Sequence, residues 1–138
     1  MSLFRPVDTA GSGLTAHRLW MDVIAENLAN VNTTRTVEGG PYRRKVPLFA
    51  ERLDDFMRQG PGDGVRVVEI AEDDVPPRLA YEPDHPDAND EGYVAYPNVN
   101  VVREMADMMV ASRAYEANLS IVESAKEMFN GALDVLRG

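Results

Sequence analysis

Apolar residues recur at alternating spacings of three and four in two long stretches, one at each end of the chain. This spacing lines one face of an α-helix with apolar side chains, as in a coiled coil. Residues 8–31 and 101–137 contain no proline, so the sequence predicts a long helix at each end. The first stripe consists of Val7, Ala10, Leu14, His17, Met21, Ile24, Leu28 and Val31. The second consists of Val101, Met105, Met108, Ser112, Tyr115, Leu119, Val122, Lys126, Phe129, Leu133 and Leu136.

Polar residues at the start of both stripes suit the N-termini of helices. Asp8 or Thr9 can accept hydrogen bonds from the free backbone amides of the first helix, and Asn100 from those of the second. Glu104 and Asp107 place negative charge near the positive end of the second helix dipole. Both predicted helices therefore have chemically suitable starts.

The middle of the chain has a different pattern, with most of its prolines and glycines between positions 39 and 97. Residues 42–49 and 64–70 are typical of strands, and the second follows a turn at Gly62–Gly64. Residues 76–97 contain five prolines, which favour an ordered loop or a short ribbon over a central strand.

Together these patterns predict an α+β fold in which long N- and C-terminal helices pair as a coiled-coil-like bundle around a small β-rich insert. The predicted divisions are an N-terminal assembly helix (1–34), a β-rich insert with an acidic, proline-rich loop (35–100) and a C-terminal assembly helix (101–138). The helices would be about 36 Å and about 55 Å long and outreach any compact insert. We therefore expect the stripes to need further packing partners.

Composition and charge argue against several classes of protein. The 138 residues include no cysteine, which excludes disulfides and cysteine zinc sites, and carry a formal net charge of -9. That acidity argues against a nucleic-acid partner, and residues 69–91 alone hold nine carboxylates against one arginine. No stretch is apolar enough for membrane insertion, and the N-terminus lacks the apolar run of a cleaved signal peptide.

Candidate chemical sites are weak. His17 fits a hydrogen-bonded residue of the helix seam and His85 a loop residue, and neither has a nucleophile at an informative spacing. Residues 87–92 resemble the first half of a calcium loop but lack its final glutamate, so a solvated acidic loop is the alternative. Residues 11–13 lack the third glycine and the lysine of a phosphate-binding loop, which favours a flexible helical turn. We expect no catalytic residue, metal or cofactor.

Two polar groups have a possible structural role. Asn27, Asn30 and Asn32 fit either a fraying helix end or hydrogen bonds across packed helices that fix their register. The basic run from Arg43 to Lys45 fits either a contact with the acidic 69–91 stretch, in the same or a neighbouring chain, or a solvated strand.

Three sets of motifs give the chain a family resemblance. The N-terminal set is 12–16, 21–30 and 32–34, the C-terminal set is 98–108 and 112–118, and the middle set is 39–44, 81–87 and 92–98. The terminal sets resemble the signatures of the bacterial flagellar basal-body rod protein family, and the middle set is similar to its short proximal-rod members. Glu26 departs from the asparagine more common there.

The resemblance implies a structural, non-enzymatic subunit of the proximal rod that assembles helically and transmits torque from motor to hook. Its partners would be copies of itself, other flagellar rod proteins and the flagellar type III export apparatus, which would carry it into the periplasm without a cleaved signal peptide. An export-apparatus or adaptor binding module using the same helices is the alternative, and a small calcium-binding or hydrolytic domain a more distant one.

We expect assembly contacts from the stripes and lateral contacts from the basic segment of the insert. The predicted assembly residues are Leu14, Met21, Ile24, Asn27, Leu28, Asn30, Val31, Val101, Met105, Met108, Tyr115, Leu119, Val122, Phe129, Leu133 and Leu136. The predicted lateral contacts are Tyr42, Arg43 and Arg44.

Overall fold

Two long helices and two short antiparallel hairpins form the part of the chain that the computed structural model describes, residues 5–52 and 64–138. The predicted turn at 62–64 lies mostly outside these residues. The elements in chain order are α1 (Arg5–Ala29), β1 (Lys45–Glu51), β2 (Val65–Glu72), β3 (Arg78–Tyr81), β4 (Tyr93–Tyr96) and α2 (Val101–Arg137). The predicted α+β fold, with paired terminal helices around a β insert, is confirmed.

The predicted N-terminal cap is confirmed for α2 and wrong for α1. Asn100 caps α2, because its side chain accepts a hydrogen bond from the backbone amide of Arg103 at 3.1 Å. The predicted cap at Asp8 or Thr9 is wrong, since the chain is already helical at Arg5. Pro6 is compatible with that first turn, where a proline removes no intrahelical hydrogen bond.

The two helices run antiparallel and approach closely through small side chains. Gly13 of α1 lies against Asn118 of α2, whereas Asn27, further along α1, contacts Glu104, nearer the start of α2. Six of the eight buried residues of the two described helices are small or polar, and only Val23 and Ile24 are larger apolar residues; the full set is Ala10, Gly13, Ala16, Val23, Ile24 and Asn27 from α1, and Glu104 and Ala111 from α2. Helix pairing therefore buries little large apolar surface.

The insert consists of two separate two-stranded sheets. The second, β3–β4, is the short ribbon predicted within residues 76–97. β1 pairs with β2, with a bulge between Leu48 and Phe49, and this hairpin packs on α1, where Phe49 meets Trp20 edge to face at 5.8 Å between ring centroids. β3 pairs with β4. In the described ranges the β3–β4 ribbon packs against no other helix or strand, so contacts with loop segments, including burial of Val94, hold it in place.

α2 is longer than its partner and extends past it. With 37 residues against the 25 of α1, it spans about 55 Å against about 38 Å. Continuing the register from the Gly13–Asn118 contact brings Arg5 level with Lys126, and every residue after that point in α2 is exposed. Neither described helix contains an apolar stretch long enough to cross a membrane.

Candidate assembly interface

A buried carboxylate lies where the two helices and the insert meet. Glu104, in the first turn of α2, is 1% exposed. Its Oε1 accepts a hydrogen bond from Arg44 Nε at 2.6 Å, and its Oε2 accepts one from Asn27 Nδ2 at 3.1 Å. A buried charge is tolerated only when it is paired and hydrogen-bonded, and these two partners meet that requirement.

Asn27 is the α1 member of this junction and uses its whole hydrogen-bonding capacity. Its Nδ2 donates to the Lys45 carbonyl oxygen at 2.9 Å as well as to Glu104. Its Oδ1 accepts from the Lys45 backbone amide and from the Tyr42 hydroxyl, both at 2.9 Å. An amide that satisfies two donors and two acceptors fixes the position of its neighbours, which explains a buried asparagine in the last turn of α1. The predicted cross-helix hydrogen bonding is confirmed for Asn27.

Arg44 carries the positive charge of the junction. Its guanidinium also faces Asp73 at 3.3 Å and Asp107 at 3.8 Å, so the basic run contacts the acidic stretch within its own chain. Burial alone would lower the pKa of Arg44, but the hydrogen bonds and charges of Glu104 and Asp73 outweigh burial and raise it. Arg44 therefore stays charged at any physiological pH.

Tyr42 closes the junction on the side of the insert. It is a buried residue whose hydroxyl donates to Asn27, and its ring lies 5.8 Å from Lys45 Nζ. Burial, followed by the negative charges of Glu26 and Glu104, raises the pKa of Tyr42 from 10.0 to about 12. The neutral phenol is therefore the form that the junction holds.

A second contact brings the two helices close together near the start of α1. A Cβ added to Gly13 would lie 2.7 Å from Asn118 Nδ2, so the absence of a side chain at Gly13 leaves room for that amide. His17 Nδ1 donates to the Gly13 carbonyl oxygen at 2.7 Å, and Asn118 Nδ2 lies 3.4 Å from the same nitrogen. The expectation of a hydrogen-bonded seam histidine is confirmed.

A third contact attaches the β3–β4 ribbon to the segment that follows α1. The Asp87 carboxylate, in the loop between the two strands, accepts a hydrogen bond from Thr34 Oγ1 at 2.7 Å and forms an ion pair with Arg35. The hydrogen bond from Thr34 and the charge of Arg35 lower the pKa of Asp87. This contact holds the ribbon beside the end of α1.

Two models of known families match the chain at the places where these contacts lie. Residues 8–35 match a model described as flagella basal body rod protein, and residues 90–135 match one described as flagellar basal body rod FlgEFG protein C-terminal. The first range contains Asn27 and nearly all of α1, and the second contains β4, Glu104 and most of α2.

Full-length relatives give the same result. The chain is 48% identical to the flagellar basal-body rod protein FlgC of Borreliella burgdorferi, with all of both chains aligned. It is 39% identical to FlgC of Bacillus subtilis, over 98% of this chain and 99% of that one, and 41% identical to FlgC of Aquifex aeolicus, over 94% and 93%. The chain belongs to the FlgC-like flagellar basal-body rod protein family. It is a structural protein of the flagellar basal body.

The predicted assembly residues of this rod protein divide into three groups. Ile24 and Asn27 are buried within the chain. Half-buried residues are Leu14, Met21 and Leu28 on α1, Asn30 and Val31 just after it, and Met108, Tyr115 and Val122 on α2. Exposed residues are Val101, Met105, Leu119, Phe129, Leu133 and Leu136, all on α2. Small residues line the closest contact between the helices, and much of the large apolar surface is left on the outside.

The three predicted lateral contacts of the insert have different surroundings. Tyr42 and Arg44 are engaged in the junction, whereas Arg43 is exposed. A lateral role stays a prediction, for which Arg43 is the accessible member.

The weaker candidate sites are used within the fold. Asp87 binds Thr34 and Arg35, and Asn89 Oδ1 accepts from the backbone amides of Glu91 and Tyr93 at 3.0 and 2.8 Å. Within residues 5–52 and 64–138, no three metal-binding side chains converge. The Gly11–Gly13 segment lies inside α1, where Ser12 Oγ accepts from the Val65 amide at 3.1 Å and so attaches β2 to the helix.

Sequence reasoning missed the roles of Gly13, Asn118 and Glu104. A line of small residues at spacings of three, Ala10, Gly13 and Ala16, was the available signal for close helix approach. For Glu104, no local pattern reveals that a helix-start acid turns inward to meet an arginine 60 positions earlier.

Proposed function

We propose that the chain assembles into the proximal rod through its helices, which pack against helices of its own copies and of other rod proteins. In this proposal residues 1–34 and 101–138 are the assembly segments and residues 35–100 make lateral contacts. The assembled helices transmit torque from motor to hook as a structural element without catalytic activity.

One observation carries this proposal: the exposed large apolar side chains follow α2 over most of its length. Leu119 is 39% exposed, Phe129 44% and Leu136 83%, and Met105 continues the same stripe near the helix start. Contiguous exposed apolar surface is typical of a protein interaction site. In a filament, the stripe of one subunit would contact a different surface of the next, because heterologous contacts that do not close propagate along a helix.

The location follows from the same role. The chain reaches the rod through the flagellar type III export apparatus, keeps its N-terminal segment and crosses the periplasm as part of the rod. Its lack of cysteine suits an oxidising compartment in which assembly, not disulfides, supplies the stability.

A charge placed on the stripe tests the proposal. Leu119→Asp should leave the monomer folded, because this side chain is already partly in water, but should abolish rod assembly and motility by placing a carboxylate in an apolar contact. Ser124→Asp adds the same charge to α2 at an exposed position off the stripe and should leave motility unchanged. Normal assembly of Leu119→Asp would contradict the proposal, and a folded variant that loses export alone would favour the adaptor alternative.

A further inference from the structure

Glu104 is the only charged side chain that is buried among the described residues, and its compensating charge comes from neither helix. The carboxylate lies on the face of α2 that pairs with α1, whereas Arg44 belongs to the segment that leads into β1. The other partner of Glu104, Asn27, is a neutral amide on α1. The pairing of two helices therefore depends on a cation supplied by the insert.

Burial of apolar side chains between the helices gives too little stabilisation to offset the cost of burying an unpaired carboxylate. Six of the eight buried residues of the two described helices are small or polar, and only Val23 and Ile24 are larger apolar residues. Removing one partner of a buried ion pair is strongly destabilising because the remaining charge has lost its hydration and gained nothing in return. If the helices came together before the insert docked, Glu104 would be in that situation.

The positions of the neighbouring charges single out Arg44 for this role. Lys45 Nζ pairs with Glu26 at 2.6 Å, away from Glu104, and Arg43 is exposed. Asp73 and Asp107, which also face Arg44, are about a third exposed and stay hydrated without it. Among the acids around Arg44, only Glu104 depends on its charge.

We propose that the Arg44–Glu104 ion pair is a charge lock that makes the pairing of α1 and α2 conditional on docking of the Tyr42–Lys45 segment. Until that segment docks, the buried position of Glu104 keeps the helices apart. Once it docks, Tyr42 and the Lys45 backbone bind Asn27 on α1 while Arg44 binds Glu104 on α2, so one short segment joins both helices. The lock does not depend on the role of the chain in the rod.

The experiment measures the distance between the helices as urea is added. Because the chain contains no cysteine, Arg18→Cys with Ala117→Cys gives a clean pair of spin-label sites, both exposed and remote from the junction. Three variants are compared in this labelled full-length chain: Arg44→Met, Arg43→Met and the double variant Arg44→Met with Glu104→Gln. Arg43→Met is the matched control, because it removes the same charge one position away.

We expect Arg44→Met to lower the equilibrium constant for helix pairing by about 100-fold or more, which is the effect of breaking a buried ion pair. Arg43→Met should change that constant less than threefold. Adding Glu104→Gln to Arg44→Met should restore most of the loss, because the buried charge is then gone while an acceptor for Asn27 remains. Equal behaviour of Arg44→Met and Arg43→Met would overturn the lock. A double variant that is no better than Arg44→Met alone would also overturn it, because packing of Arg44 and not its charge would then hold the helices.

Discussion

Asn118 Nδ2 lies only 2.7 Å from the position that a Cβ on Gly13 would occupy. The two helices approach this closely only because α1 has no Cβ at this point. The close helix contact at Gly13 and the buried charge at Glu104 are two separate points along the described helix interface. Both are features of the paired state, and each leads to a measurable consequence.

Two glycines in the same helix give a matched pair of substitutions. Gly11→Ala should stabilise the chain by about 0.5–1 kcal/mol, because alanine is the better helix former and nothing lies within 4 Å of its new methyl group. Gly13→Ala should lack this gain, since its methyl group must displace the Asn118 amide. Urea unfolding of the two variants provides the comparison, and equal stabilisation by both would argue against a close contact at Gly13.

Tyr42→Phe tests the junction on the side of the insert. Loss of the hydroxyl leaves the buried Asn27 Oδ1 with one donor fewer, so the free energy of unfolding should fall by about 1–2 kcal/mol at neutral pH. The pH dependence has a definite sign. Because the pKa of Tyr42 is raised to about 12 in the folded chain, its contribution to the free energy of unfolding is complete below pH 10. That contribution is lost as pH rises from 10 towards 12. The stability difference between wild type and Tyr42→Phe should therefore narrow in that window, and a constant difference would count against a buried phenol.

Much of the architecture could be predicted from the sequence, because helix periodicity and proline placement are local signals. The bounds of α2, the Asn100 cap and the short ribbon all follow from such signals. The stripe at Leu14, Met21 and Leu28 marks the large apolar side chains correctly, but they are only half-buried. Helices pack most closely where side chains are smallest, so a close contact falls on Gly13 beside the stripe.

The junction could be predicted only in part. Asn27 was recognisable because asparagine is unfavourable within a helix and needs a reason to be there. Its bonds to Tyr42 and Glu104 join positions 15 and 77 residues apart, and no spacing rule relates them. The pairing of Arg44 with Glu104, in preference to the many other acids of the chain, depends on where the insert docks.

Asp87→Asn should loosen the β3–β4 ribbon without affecting the helix pair. The substitution removes the ion pair with Arg35 while leaving an oxygen for Thr34, and this loop contact holds the ribbon near α1. Hydrogen exchange should become faster at the amides of Ala80 and Tyr93 and stay unchanged at that of Ala111. Asp84→Asn, a neighbouring exposed acid in the same loop, is the control and should leave the ribbon as it is.

The contact of Asp87 with Thr34 and Arg35 also predicts that protection of the ribbon amides falls at acid pH. The pKa of Asp87 is lowered in the folded chain, so its contribution is present above the ordinary value of 3.8 and is lost as pH falls through the lower folded value. Hydrogen exchange of the ribbon amides in the wild type should therefore approach that in Asp87→Asn once the pH falls below this lowered pKa. Ribbon protection that is identical in the two chains at pH 7 would show that the loop is held by other contacts.

Ile24→Asp and Leu119→Asp should have different effects on the stability of the monomer, although both place a carboxylate at an apolar helix position. Ile24 is 2% exposed and packs inside the chain, so its substitution should destabilise the monomer by more than about 4 kcal/mol and remove its cooperative unfolding transition. Leu119 is exposed, and its substitution should leave that transition within about 1 kcal/mol of wild type. Thermal melts of the two purified variants separate the internal core from the proposed assembly surface. Similar melts would mean that the two positions have the same role.

Whether the exposed side chains of α2 join the subunits of the rod is best decided by a density map of the assembled basal body, at a resolution that distinguishes side chains. We expect Met105, Leu119, Phe129 and Leu133 to be covered there by helices of neighbouring rod subunits, while the Asn27–Glu104 contact stays within each chain. A map in which these α2 side chains face solvent, and the β insert makes all the contacts between subunits, would contradict this expectation.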